Sequence, residues 1–227
     1  MQRLTTPEIH AARLDDWTKL AQGLHARFTI GDFPAGAAFV KEVADAAEAA
    51  AHHPDLTLRY GAVDVALATH EEGMWVTQKD VDLARTISAI ARAHGLEPTP
   101  GAGTQVELGL DTAHSDRISP FWSAVLTGSP DNVVEQSILD PTGSAPNAWF
   151  QQSDDPDDLD DPDDSDAAPR QRWHLDVWVA PEAAERRIAA ALAAGGVVVD
   201  ESQAPSFTVL ADPDGNKACI CTSLERG

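Results

Sequence analysis

The stretch Glu97-Pro98-Thr99-Pro100-Gly101-Ala102-Gly103 constrains this chain most, because no regular element tolerates two prolines and two glycines in seven residues. It follows a helical pattern and precedes a strand pattern, so it reads as a linker. The 227 residues then divide into a domain over 1–97, a connection over 98–103 and a second domain over 104–227. An apolar share of 43% is enough to give each part a core.

Charge separates the two parts further. The chain carries 16 basic and 37 acidic side chains, a net of -21. Residues 1–100 hold 14 acids and 9 bases, and residues 101–227 hold the other 23 and 7. Nine of the latter acids are aspartates within residues 154–166. With Pro156, Pro162 and almost nothing apolar, that tract reads as a solvated loop. It lacks the spacing and the turn glycine of a calcium-binding EF-hand. So negative a chain is a poor ligand for nucleic acid or anionic membrane. The two cysteines, Cys219 and Cys221, are spaced i, i+2, which makes no ordinary disulfide. There is no apolar signal core at the start and no run of 18 apolar residues, so the expectation is a soluble, cytoplasmic protein.

The first part alternates strand and helix signals. Residues 17–30 read as one or two strands. Asp32 can cap a helix over about residues 33–51, with Val40, Val43, Ala44 and Ala47 as its apolar stripe. Leu56, Leu58 and Tyr60 alternate with polar residues, as do Val63, Val65, Leu67 and Thr69. Gly61-Ala62 between them reads as a two-residue hairpin loop. Thr77 and Asp80 form a capping-box-like start to a helix through Leu83, Ile87 and Ile90, ended by Gly95.

Histidines gather at the ends of these elements. His52-His53-Pro54-Asp55 follows a helix, and Thr69-His70-Glu71 follows a strand. Imidazole is the side chain best matched to proton transfer near neutral pH. Glu48 lies four residues before His52, so the two share a face if the helix persists. The same histidines also suit ordinary surface or capping positions. Zinc is poorly served, since adjacent histidines without a cysteine partner make an awkward ligand set.

The combination Ala47-Glu48-x-x-x-His52-His53-Pro54-Asp55, Tyr60, Thr69-His70-Glu71 and Asp80 ahead of Leu83-Ala84 resembles the pterin-4a-carbinolamine dehydratases. Asp32-Phe33 and Phe39-Val40 fit as well, and the likeness covers about residues 3–95. It implies an α+β fold, with helices on one face of a small antiparallel sheet. It also implies dehydration of 4a-hydroxytetrahydropterin to quinonoid dihydropterin without a metal or organic cofactor. By resemblance, His52, His53 and His70 are catalytic. Pro54, Asp55, Thr69 and Glu71 contact substrate, and Glu48 and Asp80 support or bind it. Two departures stand out: one extra residue between His70 and Asp80, where Met74-Trp75-Val76 lies, and Gly61 after Tyr60.

The second part repeats itself at an offset of 67 residues: Val106-Glu107-Leu108-Gly109-Leu110 matches Trp173-His174-Leu175-Asp176-Val177. Phe121 and Val125 match Ile188 and Leu192. Each copy reads strand, helix, strands, with helices over about residues 116–126 and from Pro181 to Gly195-Gly196. Phe121-Trp122-x-x-Val125-Leu126, Arg172-Trp173-His174-Leu175-Asp176 and Asp212-Pro213-Asp214-Gly215-Asn216 resemble glyoxalase-like domains of the vicinal oxygen chelate superfamily. That resemblance implies paired βαβββ units forming a cup. Its metal positions fall on Glu107, Gln151 or Gln152, His174 and Cys219. Cysteine breaks the hard-ligand set expected there, so a metal-free cup is the plainer expectation.

The expected protein is therefore a 4a-hydroxytetrahydropterin dehydratase with an appended glyoxalase-like domain. It takes a small-molecule pterin, and by family habit it is a homo-oligomer. Two alternatives remain beside it: a metal-dependent lyase, dioxygenase or isomerase centred on the second domain, and a dehydratase-like fold kept for binding or dimerisation.

Overall fold

The computed structural model describes residues 2–70, 73–112, 115–143, 145–152, 173–193, 196–211 and 217–225. Glu71, the aspartate tract, Arg172, Gly195 and Asp212–Asn216 lie outside the described residues, as do the side chains of Phe121, Val125 and Gln152. The chain divides into two compact units. The first comprises Met1–Gln105 with Val179–Ala184 and Thr222–Gly227; the second comprises Val106–Trp178 and Glu185–Cys221.

The first unit opens with a short helix, α1 (Thr6–Ala11), begun by a capping box between Thr5 and Glu8. Strands β1 (Thr18–Leu20) and β2 (Gly23–Thr29) follow, then helix α2 (Phe33–Ala50), strands β3 (Asp55–Arg59) and β4 (Ala62–Leu67), and helix α3 (Gln78–Ala93). The sheet order is β1-β2-β4-β3, with all pairs antiparallel. Period-2 alternation puts Val63, Val65 and Leu67 of β4 into the core, beside Leu24, Ala26 and Phe28 of β2. From α2, Gly36, Phe39, Val43 and Ala47 are buried, whereas Ala44 of the expected stripe faces out. From α3, Val81, Leu83, Ala84, Ile87 and Ala91 complete the core. Phe28 meets Phe39 edge to face at 5.4 Å, an arrangement that aromatic quadrupoles favour. The buried indole of Trp17 donates to Ser88 at 3.0 Å, so this polar group enters the core satisfied.

Two expectations shift here. Arg59 pairs with Ala62, so the hairpin loop is Tyr60–Gly61 and not Gly61-Ala62. Gly61 supplies the positive φ of 84° at the second loop position, and Ala62 is needed in the ladder to keep Val63 facing inward. The Pro/Gly stretch is also more structured than a tether. Glu97–Pro98 forms a fifth strand, β5, paired with Thr29 and Phe28 of β2, and Pro100–Ala102 is a single 3₁₀ turn. Pro98 is tolerated because this two-residue strand lies where the shorter β1 has ended.

The described residues from Thr104 to Cys221, most of them in the second unit, form two consecutive βαβββ copies. The first is β6 (Thr104–Thr112), α4 (Ser115–Thr127), β7 (Val133–Val134), β8 (Ser137–Ile138) and β9 (Ala148–Gln152). The second is β10 (Trp173–Val179), α5 (Pro181–Ala193), β11 (Val197–Asp200), β12 (Phe207–Ala211) and β13 (Lys217–Cys221). They join in one eight-stranded sheet of order β11-β12-β13-β10-β6-β9-β8-β7. The order is the same read outward from β10 and β6, as a duplication requires. In each copy the first strand runs parallel to the last. Leu108 and Leu110 of β6 and Phe150 of β9 pack with Trp122 and Ile118 of α4, which covers that face of the sheet. No helix among the described residues is long and apolar enough to cross a membrane.

Candidate functional site

Helix α2 ends abruptly, and that ending builds the site. Ala51 adopts a left-handed conformation, φ 46° and ψ 43°, and the amide of His52 bonds back to the carbonyl of Ala47 at 3.2 Å. His52 therefore leaves the helical register and turns inward, while His53 points to solvent. The helix does not persist to His52, so Glu48 does not share its face. Glu48 instead meets His53 Nε2 at 3.1 Å, and both side chains are exposed.

The inward ring of His52 meets a carboxylate that is itself held from several sides. His52 Nε2 lies 2.6 Å from Oδ1 of Asp80, which is wholly buried. Asp80 Oδ2 accepts the amide of Thr77 at 2.7 Å and contacts the hydroxyls of Thr69 and Thr77 at 2.8 and 3.0 Å. Those hydroxyls also touch each other at 2.8 Å, so two protons are shared among three contacts. The capping box of α3 is thus also the anchor of His52. An ionised carboxylate only accepts, so this contact calls for the proton on Nε2. Glu48 does the same for His53, more weakly because both groups stand in water.

The remaining residues of the expected site distribute clearly. His70 is exposed, directly after Thr69. Thr69 is buried, and its backbone pairs both ways with Trp75, at 2.8 and 3.2 Å. Pro54 is half-buried, and Asp55, the first residue of β3, is exposed. Glu71 lies outside the described residues. Thr69, by resemblance a substrate contact, and Asp80, by resemblance a supporting or binding group, stand behind His52 with their polar atoms committed to protein partners. Thr77 carries only a helix-cap signal in the sequence; its capping-box partner Asp80 is the one signal that links it to the histidine.

In the second unit the metal positions reach one face of the sheet. Asp111 pairs with Gln151 and Gly109 with Trp149 in the β6–β9 ladder, and Asp176 pairs with Cys219 in the β10–β13 ladder. Glu107, two residues before Gly109, is buried and accepts the indole N–H of Trp178 at 2.9 Å. His174 lies between the carboxylates of Asp111 and Asp176. Among the described residues no group of three or more His, Cys, Asp or Glu could hold a metal ion.

Comparison with known proteins agrees with this division. Residues 2–90 match the family described as pterin 4 alpha carbinolamine dehydratase, and residues 107–221 match the glyoxalase-like domain. A protein of Thermosynechococcus vestitus is 44% identical over 92 residues, which is 40% of this chain and 96% of that protein. One of Chloroflexus aggregans is 45% identical over 93 residues, covering 40% and 98%. Both bear the name "Putative pterin-4-alpha-carbinolamine dehydratase". A crystal structure of a transcriptional coactivator/pterin dehydratase from Brucella melitensis is 38% identical and covers 40% of this chain and 99% of its own, with a TM-score of 0.38. The chain belongs to the pterin-4a-carbinolamine dehydratase family through its first part and to the glyoxalase-like family through residues 107–221.

Proposed function

We propose that the first unit dehydrates a 4a-hydroxytetrahydropterin to the quinonoid dihydropterin, with His52, His53 and His70 as the proton-transfer groups. The observation that carries this reading is the 2.6 Å contact between His52 Nε2 and the buried Asp80, because a carboxylate held there by protein partners orients the ring. The family membership supports the pterin as substrate class.

The chemistry asks for little else. A proton must reach the departing 4a oxygen, and one must leave N5, so that water is lost and no net proton is consumed. Two imidazoles, one protonated and one neutral, can supply both transfers. His53 and His70 are open to solvent and so reachable by substrate, and Pro54, Asp55 and Glu71 are the neighbouring groups best placed in sequence to hold the ring. Asp80 and Thr69 act as positioning groups through His52, and Glu48 acts through His53.

Stopped-flow dehydration of freshly generated 4a-hydroxytetrahydropterin tests the reading. His53→Ala and His70→Ala should each slow turnover by about 10²-fold or more. If both variants work at the wild-type rate, these histidines are not the catalysts.

A further inference from the structure

Trp75 has no part in the chemistry proposed for the first unit, yet it is closely fitted beside the histidine site. Its backbone forms an isolated antiparallel bridge with Thr69. The Thr69 amide donates to the Trp75 carbonyl at 2.8 Å, and the Trp75 amide donates to the Thr69 carbonyl at 3.2 Å. His70 follows Thr69 directly, so this bridge fixes the point from which the chain leads to His70. The next two residues are tied down as well. Val76 is buried and its carbonyl accepts the amide of Leu4 at 2.9 Å, and Thr77 donates its amide to Asp80 at 2.7 Å. Residues 75–77 thus touch in turn Thr69, the N-terminal arm and the anchor of His52.

The indole of Trp75 is held by two neighbours. A Cβ at Gly73 would fall 2.2 Å from Cη2 and 2.3 Å from Cζ3 of the ring, so the ring fills the space that a side chain at residue 73 would need. Gly73 also has a φ of 136°, which side-chain-bearing residues rarely adopt. The Arg3 guanidinium stands over the ring, 5.5 Å from its centroid, within cation–π range. An isolated bridge of two hydrogen bonds is a weak closure by itself, because each bond is exchanged against water and closing the loop costs chain entropy. A half-buried indole seated on Gly73 and under a cation strengthens it. The Thr69 hydroxyl is pinned separately, 2.8 Å from Thr77 Oγ1 and 2.8 Å from Asp80 Oδ2. The anchor of His52 therefore does not depend on the indole, and loss of the ring falls on His70.

We propose that Trp75 is a positioning residue for the dehydration. Through its bridge to Thr69, with Gly73 and Arg3 seating its ring, it sets where His70 stands before the substrate. This rests on the reading of His70 as a proton-transfer group.

The test combines dehydration kinetics of the full-length chain with backbone NMR. Trp75→Ala should lower kcat about tenfold or more and leave KM within about twofold, since a misplacement of about 1 Å can cost 10²-fold. It should also speed exchange of the Thr69 amide about tenfold and shift the His70 amide signal, with the His25 amide unmoved as the control for folding. Trp75→Phe, which keeps a flat ring on Gly73, should restore most of kcat. In a His70→Ala background, Trp75→Ala should cost no more than about twofold, because the two residues act as one. A further tenfold loss there would overturn the proposal. Arg3 is exposed, so Arg3→Ala keeps the fold and decides the matter even if Trp75→Ala does not fold. It should lower kcat and speed Thr69 exchange about two- to fivefold. Thr69 exchange unchanged in Arg3→Ala would overturn the proposal. If the wild type does not outrun buffer while Trp75→Ala moves both amide signals, the dehydratase reading falls and the placement of His70 by Trp75 stands. If the wild type dehydrates and Trp75→Ala changes neither kcat nor the signals, that reading stands and this proposal is overturned.

Discussion

His52 and His174 both stand beside aspartate, in opposite states of completion. Each is mostly buried, and each has aspartate carboxylates nearby. His52 touches its carboxylate at 2.6 Å, and that carboxylate is pinned by Thr69 and Thr77. His174 stands 3.7 and 3.9 Å from its two carboxylates, and Asp111 Oδ1 is without a hydrogen-bond partner among the described residues. The difference lies in what holds the aspartate. Asp80 sits in the first turn of α3 as a capping residue, so helix formation itself delivers it to His52. Asp111 and Asp176 sit on strands, where the ladder fixes backbone register and leaves side-chain tips free to adjust. A preformed acid–base pair suits chemistry; the His174 cluster is not closed in that way.

The largest expected effect breaks the preformed pair. Asp80→Asn replaces an acceptor-only group with an amide whose N–H₂ must face a donor, Thr77 N–H or His52 Nε2–H. Dehydration should fall about 10²- to 10³-fold, with thermal stability lowered by about 1–3 kcal/mol. A rate unchanged in stopped-flow would mean that His52 does not need its anchor.

A third histidine sharpens the contrast with a titration. His25 on β2 is pushed down to about 4, chiefly by burial and then by the charge of Lys19. Its folded value lies below the ordinary 6.5, so the unfolded chain binds the extra proton between those values. Its contribution is present above about pH 6.5 and is lost as pH falls toward 4, of order 3 kcal/mol in all. Denaturant midpoints measured from pH 7 to 4 should fall less for His25→Gln than for wild type.

Gly109→Ala tests the other side. Its Cβ cannot coexist with His174 in place, so the ring must move, at a cost of about 1–3 kcal/mol to the second unit. Loss of the Trp149–His174 ring-current contact in the NMR spectrum is the direct readout. An unshifted His174 would show that the sheet yields instead.

The smallest effect concerns the turn that frees His52 from α2. Ala51 is left-handed at φ 46°, a conformation glycine adopts without strain. Ala51→Gly should raise stability by about 0.5–1 kcal/mol by calorimetry and leave the turn intact.

Much of this was legible in the residues. The Asp32 cap, the alternation of Val63, Val65 and Leu67, and the Thr77–Asp80 box each carry a local signal, and the 67-residue repeat carries the duplicated architecture. The Thr5–Glu8 box carries an equally local signal. What escaped depends on a single dihedral or on pairing between distant strands. No residue type near position 51 announces a left-handed alanine, so spacing alone points Glu48 to His52 where the fold gives it His53. No local pattern marks Glu97–Pro98 as a partner of Phe28 and Thr29, or brings Asp111 to His174. Cross-strand neighbours are set by register, which only the folded sheet decides.

The most direct test of the account is the dehydration of freshly generated 4a-hydroxytetrahydropterin by the full-length chain, followed beside buffer alone and beside His52→Ala. The wild type should exceed buffer by at least about 10²-fold, and His52→Ala should forfeit most of that gain. A wild-type rate equal to buffer, or a His52→Ala rate equal to wild type, would contradict it.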